Sequence, residues 1–226
     1  MRAPKWRLLL TLVSVAVVLL VAMREAASQL ASAGAGGLLH PARHRVVGPP
    51  PPTCQDAIFA GEGVNLRGWR CRASAIGPGP ILLVGTSLGA AVALQEAAQD
   101  IRVTAVVAAE TFSDLRTVAT ERAPFFFTSG VIERALLLAE QQGRFQVDAV
   151  SPVLAAAEIK IPVLLIHGTA DSETPPEHSR RVLAALAGPK HLILVPGARH
   201  NEALSGEVWD EVDHWLDGVV GPVPRS

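Results

Sequence analysis

The chain has 226 residues, 49% of them hydrophobic, and its 20 Lys and Arg residues nearly balance its 21 Asp and Glu residues. At roughly 150 residues per domain, this length allows one domain with a sizeable core. Phosphate binding needs concentrated positive charge, and the body of the chain has no basic stripe, so the charge balance argues against nucleic acid as a partner.

The N-terminus combines three basic residues with an uncharged apolar run, residues 8–23. A helix of that length spans about 24 Å, slightly less than a hydrocarbon core of about 30 Å. The length of the run is therefore intermediate between that of a signal-peptide core and that of a short transmembrane anchor. Because more positive charge precedes the run than follows it, we expect the N-terminus in the cytoplasm and the rest of the chain outside.

Two alternatives follow for this leader, an uncleaved membrane anchor and a cleaved signal peptide. Ala31 and Ala33 offer an A-x-A cleavage pattern, but it lies far beyond the apolar run, which favours the anchor. Residues 24–53 are rich in Ala, Gly and Ser and end in "GPPPPT", which predicts an unstructured tether with a stiff end. The expected location is a membrane-anchored domain in the periplasm or outside the cell, or a secreted protein if the leader is cleaved.

The two cysteines, Cys54 and Cys71, flank a segment with the pattern of a β-hairpin. If Gly61 faces Val64 across the turn, paired positions sum to 125, and the two cysteines face each other. In an exported chain this register favours a disulfide over two unrelated free thiols.

From residue 54 onward, short apolar runs alternate with helical patterns, and no internal repeat is present. Continuous apolar runs are typical of strands buried on both faces of a parallel sheet, so the order predicts an α/β domain over residues 54–226. The predicted strands are residues 80–85, 103–110, 161–168 and 191–196, and the predicted helices are residues 88–99, 176–186 and 205–219.

Residues 112–158 interrupt this alternation with further helical segments, which predicts a small cap or lid between two strands. Between these segments, Phe125, Phe126 and Phe127 follow one another. They are candidates for lining an acyl pocket, but ordinary core packing is at least as good an interpretation for aromatic side chains.

The segment "PILLVGTSLGAAVALQ" places Ser87 between an apolar strand and a helix. In a nucleophile elbow the serine lies on this sharp turn, with its hydroxyl held at the carboxyl edge of the sheet. Gly85 and Gly89 leave room for the close approach of strand and helix, and the helix N-terminus favours a developing oxyanion. The alternative for Ser87 is an ordinary helix cap.

A serine nucleophile needs a base, and the base needs an orienting carboxylate. Asp171 follows one predicted strand in "LLIHGTAD", and His200 follows the next in "LILVPGARHNEAL". Taken alone, Asp171 fits a helix cap and His200 a surface loop. Ser, Asp and His at successive strand ends predict a catalytic triad, because an open α/β sheet places its site there.

Other candidates rank lower. Glu110 ends a predicted strand and is an alternative to Asp171 as the orienting acid. His167 and His178 near Asp171 match no metal-ligand spacing, so no metal is expected. The cysteines lack a nearby base that would make them nucleophiles.

The segments "GVNLRGWRCRA", "ILLVGTSLGAAVALQ", "SPVLAAAEIKIPVLLIHGTADSETPPEHSRRVL" and "LILVPGARHNEAL" together resemble an α/β-hydrolase of the serine aminopeptidase and prolyl-oligopeptidase-like branch. The resemblance implies that Ser87 is the nucleophile, Asp171 the acid and His200 the base, and that the Leu88 N–H is the first oxyanion donor. It implies no cofactor. The implied substrates are small esters, thioesters, acyl lipids or peptides.

The chain departs from that pattern ahead of the elbow, where the linker "ASAIGPGP" stands in place of two strand–helix units, roughly 60 residues at about 30 per unit. The missing loop would supply a second oxyanion donor, whose loss costs on the order of 10² to 10³ in turnover. We expect a contracted sheet in which the hairpin adds an antiparallel strand beside the elbow strand. Two alternatives to an active serine hydrolase stay open: a non-catalytic relative with a binding role, and a deletion product of a longer hydrolase.

Overall fold

A computed structural model describes residues 5–40, 54–61, 64–71 and 79–221, with side chains described for 12–40 and 79–221. The chain forms two units, Ala42–Pro80 and the combination of Met1–Pro41 with Ile81–Ser226. The elements in chain order are α1 (Lys5–Leu39), β1 (Cys54–Gly61), β2 (Val64–Cys71), β3 (Ile81–Thr86), α2 (Leu88–Ala97), β4 (Val103–Ala109), α3 (Leu115–Glu121), α4 (Ser129–Gly143), a 3-10 turn (Val147–Ala149), α5 (Pro152–Ala156), β5 (Val163–Gly168), α6 (Glu177–Ala185), β6 (Lys190–Val195) and α7 (Gly206–Val220).

The smaller unit contains an antiparallel hairpin, β1 and β2, in the register that the sequence predicts. Cys54 lies opposite Cys71 and Gly61 opposite Val64. The side chains of both cysteines lie outside the described ones, so the disulfide stays a prediction.

The larger unit contains a four-stranded parallel sheet in the order β3-β4-β5-β6. This contracted, mostly parallel α/β-hydrolase-like fold confirms the predicted fold class. The expected mixed sheet is wrong, because the described strands of the hairpin form a separate two-stranded sheet. Pro78 and Pro80 lie between the two sheets in the chain, and proline has no N–H with which to extend a β-ladder.

Helices cover both faces of the parallel sheet because successive strand residues point to opposite sides. On one face, Val106 and Leu165 pack with Leu94 of α2 and Val182 of α6. On the other face, three fully or almost fully buried strand residues pack against Val212 of α7: Val107, Leu164 and Ile166. This double layer fixes the carboxyl ends of the strands along one edge.

The insertion between β4 and β5 contains α3, α4, the 3-10 turn and α5, as the predicted cap requires. Its helix α4 packs against α1, where Ala31, Val131 and Ala135 form a small buried cluster. The predicted tether therefore differs from the structure over residues 24–39, which continue α1 as helix. Alanine favours helix, and the small side chains allow α1 to approach α4 closely. The rest of the tether, residues 41–53, lies outside the described residues.

The close contact between β3 and α2 gives a test of the strand–helix turn. A Cβ at Gly85 would overlap backbone atoms of Gly89, whereas a Cβ at Gly218 inside α7 would meet nothing within 4 Å. Gly85→Ala should lower the free energy of unfolding by about 1–3 kcal/mol. The matched Gly218→Ala should raise it by up to about 1 kcal/mol, because alanine favours helix. Urea unfolding of the full chain in mild detergent measures both, and an unchanged stability in Gly85→Ala would contradict the tight packing.

Candidate active site

Ser87 lies on a strained turn between the end of β3 and the start of α2. Its backbone has φ 52° and ψ −118°, a conformation that non-glycine residues rarely adopt. The Ser87 N–H donates to the Ala109 carbonyl at 2.9 Å, which ties the turn to the end of β4. This is the local geometry of a nucleophile elbow.

The structure brings the three predicted residues Ser87, His200 and Asp171 together in one chain of hydrogen bonds. Ser87 Oγ lies 2.9 Å from His200 Nε2, and His200 Nδ1 lies 2.7 Å from Asp171 Oδ2. The side chains of His200 and Asp171 are 6% and 0% exposed, so water has little access to the bond between them. With Nδ1–H donating to the carboxylate, the neutral imidazole presents Nε2 as an acceptor for the Ser87 hydroxyl.

The Asp171 carboxylate is fixed by the backbone of its own loop. Asp171 Oδ1 accepts hydrogen bonds from the N–H groups of Glu173 at 3.0 Å and Thr174 at 2.8 Å. These bonds leave Oδ2 facing His200. The helix-cap interpretation and the acid interpretation of Asp171 are therefore not exclusive, because one oxygen orders the turn and the other orients the imidazole.

His167, at the end of β5, is fully buried and braces the same loop. Burial is the largest influence on the pKa of His167 and lowers it, because an apolar interior disfavours the charged imidazolium. In the neutral ring, Nε2–H donates to the Thr174 carbonyl at 2.7 Å and Nδ1 accepts from the Ser179 hydroxyl at 2.6 Å. Nε2 also lies 3.4 Å from Asp171 Oδ2.

Glu110 is not the orienting acid, because among the described residues its carboxylate accepts from the backbone and from Thr86 rather than from His200. It is 1% exposed, and its oxygens accept from the N–H groups of Asn201 at 2.6 Å and Ala203 at 3.0 Å. The Thr86 hydroxyl donates to the same carboxylate at 3.2 Å. Glu110 thus joins the residue before Ser87 to the residue after His200, a positioning role that the sequence did not indicate.

The loop before His200 is also fixed to the loop before Asp171. A Cβ at Gly168 would overlap the backbone of Ala198, so the chain passes close to the end of β5. The Ala170 N–H donates to the Ala198 carbonyl at 3.0 Å, and the Gly197 N–H donates to the Thr169 hydroxyl at 2.9 Å. The relative positions of Asp171 and His200 are therefore set by backbone contacts.

The cap contributes a cation to this site. Arg122 directly follows α3, and its Nη2 lies 3.4 Å from His200 Nε2. The guanidinium also donates to the Glu173 carbonyl at 2.8 Å and to the Thr174 hydroxyl. No pattern in the sequence indicates a role for Arg122, since one arginine in a helical insertion has no distinguishing feature.

Other predicted candidates lie apart from these contacts or are untested. Leu88 begins α2, where the first amides have no partner within the helix, in keeping with its predicted role as an oxyanion donor. Phe125 is 98% exposed, whereas Phe127 packs beside the cluster between α1 and α4. No group of three or more metal-ligating side chains occurs within the described part of the chain.

His178, a rejected metal ligand, instead joins the cap to α6. Its Nδ1 lies 2.8 Å from Ser113 Oγ and accepts from the Ser113 N–H at 3.0 Å, and its Nε2 lies 2.7 Å from Glu121 Oε2. Ser113 and His178 are buried, so these polar contacts satisfy each other inside the protein.

The parallel sheet, the elbow and the residues at its carboxyl edge define a member of the α/β-hydrolase class. The family model of the prolyl oligopeptidase family matches residues 72–222, and the chain belongs to this family of serine hydrolases.

Two relatives with similar sequences are proteins described as uncharacterized. The uncharacterized protein YfhR of Escherichia coli O157:H7 is 34% identical over 143 residues, which are 61% of this chain and 45% of that protein. The uncharacterized protein Rv2307c of Mycobacterium tuberculosis is 34% identical over 142 residues, 62% of this chain and 45% of that protein. The chain thus spans about half the length of these relatives.

Solved structures show the same fold. A puromycin-hydrolyzing peptidase of Mycobacterium tuberculosis is 25% identical with a TM-score of 0.51, over 66% of this chain and 23% of that one. The acylaminoacyl peptidase of Pyrococcus horikoshii is 16% identical with a TM-score of 0.52, over 66% of this chain and 25% of that one.

The buried His167 predicts how stability depends on pH. Because its folded-state pKa lies below its ordinary value of 6.5, the unfolded chain binds more protons near and below that pH, and stability should fall as the pH decreases through this range. The urea concentration at the unfolding midpoint should fall less between pH 7.5 and pH 5.5 in His167→Gln than in the unmodified chain. The control is His214→Gln on the exposed side of α7, which should keep the original slope. Equal slopes in all three proteins would refute this role of His167.

Proposed function

We propose that this chain is a serine hydrolase that cleaves an ester, thioester or amide bond through an acyl-enzyme. Ser87 is the nucleophile, His200 the general base and Asp171 the orienting acid. The observation that carries the proposal is the uninterrupted set of contacts from Ser87 Oγ through both nitrogens of His200 to Asp171 Oδ2. The membership of the prolyl oligopeptidase family supports it, and the names of the M. tuberculosis and P. horikoshii peptidases make amides reasonable substrates to screen.

In the first half-reaction, Ser87 Oγ forms a bond to the carbonyl carbon while its proton passes to His200 Nε2. The carbonyl oxygen becomes an oxyanion beside the Leu88 N–H. The bond to the leaving group then breaks, and the leaving group takes the proton from Nε2. In the second half-reaction, water loses a proton to Nε2, attacks the acyl carbon and releases the acid, and the proton returns to Ser87 Oγ. No cofactor takes part in this proposed sequence.

A fluorophosphonate tests whether Ser87 is an assembled nucleophile. We expect intact mass spectrometry of the full chain in mild detergent to show one adduct, which is absent from Ser87→Ala. An activated serine oxygen displaces fluoride from the phosphorus of the reagent and forms a phosphonate ester. Glu110→Gln should slow labelling by about tenfold or more, since its amide nitrogen would face one of the two N–H groups that now donate to the carboxylate, those of Asn201 and Ala203. An unlabelled chain that unfolds cooperatively would contradict the enzyme proposal.

The same measurement addresses the second candidate, a relative with a binding role only. The observation that favours it is the short linker before β3, in place of the segment that would supply the second oxyanion donor. For a relative with a binding role only, we expect cooperative unfolding and no labelling. A deletion product without a stable fold would show neither cooperative unfolding nor labelling. A labelled chain with low turnover fits a hydrolase with one oxyanion donor.

We further propose that α1 anchors the chain in a membrane with the hydrolase domain outside the cytoplasm. Leu12–Leu39 is long and apolar enough to cross a bilayer by length and composition. Several of its apolar side chains are more than half exposed: Leu12, Val15, Val18 and Leu20. Ala31 of the A-x-A pattern is buried in the contact with α4, which favours an uncleaved anchor.

Fractionation of cells that make the full chain tests the anchor. The unmodified chain should sediment with membranes and resist extraction at high pH, because residues 8–23 lie in the hydrocarbon. Val18→Arg combined with Leu20→Arg should release it, since each arginine at the bilayer centre costs about 2.5–3.5 kcal/mol on insertion scales. Ser28→Arg, on the same helix but beyond the apolar run, is the control and should stay in the membrane. Recovery of the unmodified chain in the soluble fraction would overturn the anchor.

A further inference from the structure

The guanidinium of Arg122 occupies a position from which it can reach a bound substrate. Its Nη2 and Ser87 Oγ both lie within 3.4 Å of one atom, His200 Nε2. The residue is exposed, so a ligand at Ser87 has access to it. This inference rests on the proposed function, because it concerns what lies next to the scissile bond.

Within the described part of the chain, no carboxylate lies within ion-pair distance of Arg122. Two other arginines do have carboxylate partners: Arg116 of the cap pairs with Asp148, and Arg199, next to His200 in the chain, pairs with Glu202. Arg122 instead donates to two neutral oxygens, those of Glu173 and Thr174, and none of the described residues accepts from its Nη1. With respect to the described residues, the cation is thus held in place without a carboxylate partner, and its Nη1 keeps a donor without an acceptor.

The position of Arg122 beside Nε2 indicates which part of the substrate it meets. Nε2 delivers its proton to the leaving group, so a side chain in contact with Nε2 lies on the leaving-group side of the scissile bond. We propose that Arg122 binds a carboxylate carried by the leaving group. The substrates would then be acyl esters or amides whose leaving group bears a carboxylate a few bonds from the bond that breaks.

Electrostatics within the reaction favours such a substrate. When His200 takes the proton from Ser87 it becomes a cation next to the guanidinium, and the two positive charges repel each other. A substrate carboxylate on Arg122 places a negative charge beside both cations during that step, which offsets this repulsion. Arginine also suits this role because its planar donors match the geometry of a carboxylate.

Two esters that differ only in charge test the proposal. O-butanoyl lactate has a carboxylate in its leaving group, and O-butanoyl lactamide has a neutral amide in the same place. In the full chain we expect kcat/KM to favour the lactate ester, and Arg122→Gln to reduce that preference by about tenfold or more, as for a lost charge-assisted hydrogen bond. Arg122→Lys should keep part of the preference. Arg134→Gln, at an exposed position of α4, is the matched control and should keep all of it.

A binding measurement separates this proposal from the enzyme proposal. In a Ser87→Ala background, which cannot form the acyl-enzyme, the lactate ester should bind at least tenfold more tightly than the lactamide ester by ligand-observed NMR. Adding Arg122→Gln should remove the difference. If the fluorophosphonate leaves Ser87 unlabelled but this difference in affinity is present, the enzyme proposal fails and the anion site stands. Equal affinities, or a preference that persists without Arg122, would overturn the anion site even in an active enzyme.

Discussion

The parallel register of four strands is the constraint on which the site depends. Thr86 pairs with Ala109, Ala109 pairs with Ile166, and Gly168 pairs with Val195, so the carboxyl ends of the strands meet at one edge. The turn with Ser87, the loop with the proposed acid Asp171 (the acid loop) and the loop with the proposed base His200 (the base loop) begin at this edge. Residues 113 positions apart in the chain, Ser87 and His200, are thereby brought to hydrogen-bond distance. Buried polar groups hold the loops themselves: Glu110 ties the base loop to β3, and His167 supports the acid loop.

The contracted sheet leaves β3 at an edge of the described parallel strands. Ile81 and Val84 are 42% and 48% exposed, and Val92 on the adjoining α2 is 56% exposed. Full burial of an exposed Val or Ile side chain contributes about 1.5–3 kcal/mol to stability. Because these side chains are only partly buried, this edge receives less stabilisation than β4 and β5. The elbow nevertheless keeps its geometry, because the contacts that fix Ser87 come from β4 and α2 rather than from the open side.

Sequence patterns predicted the parallel strands and the three candidate residues because both depend on local order. The run "VLLIHG" is apolar without interruption and is buried throughout, as a central strand requires. The same kind of run, "ILLVGT", predicted burial for β3 that the structure does not show, since an apolar pattern cannot reveal how many neighbours a strand has. The helix over residues 24–39 was missed because its stabilising partner, α4, lies about a hundred residues away.

Residues that act through tertiary contacts could not be predicted from sequence patterns. Arg122 meets His200 only because the cap folds back over the edge of the sheet, and Glu110 meets Asn201 only across two loops. Asp171 and His200 could be predicted because each follows a strand closely in the sequence. Local patterns thus locate the three candidate residues, and long-range contacts determine which groups support them.

The central claim is that Ser87, His200 and Asp171 work as one unit in this contracted fold. Non-additivity of substitutions tests this most directly, with kcat/KM for a p-nitrophenyl ester measured in Ser87→Ala, His200→Ala and the triple alanine variant. A single unit predicts that Ser87→Ala alone loses about as much activity as the triple variant, because the remaining residues have no nucleophile to assist. Losses that multiply across the substitutions, or a Ser87→Ala variant as active as the unmodified chain, would contradict it.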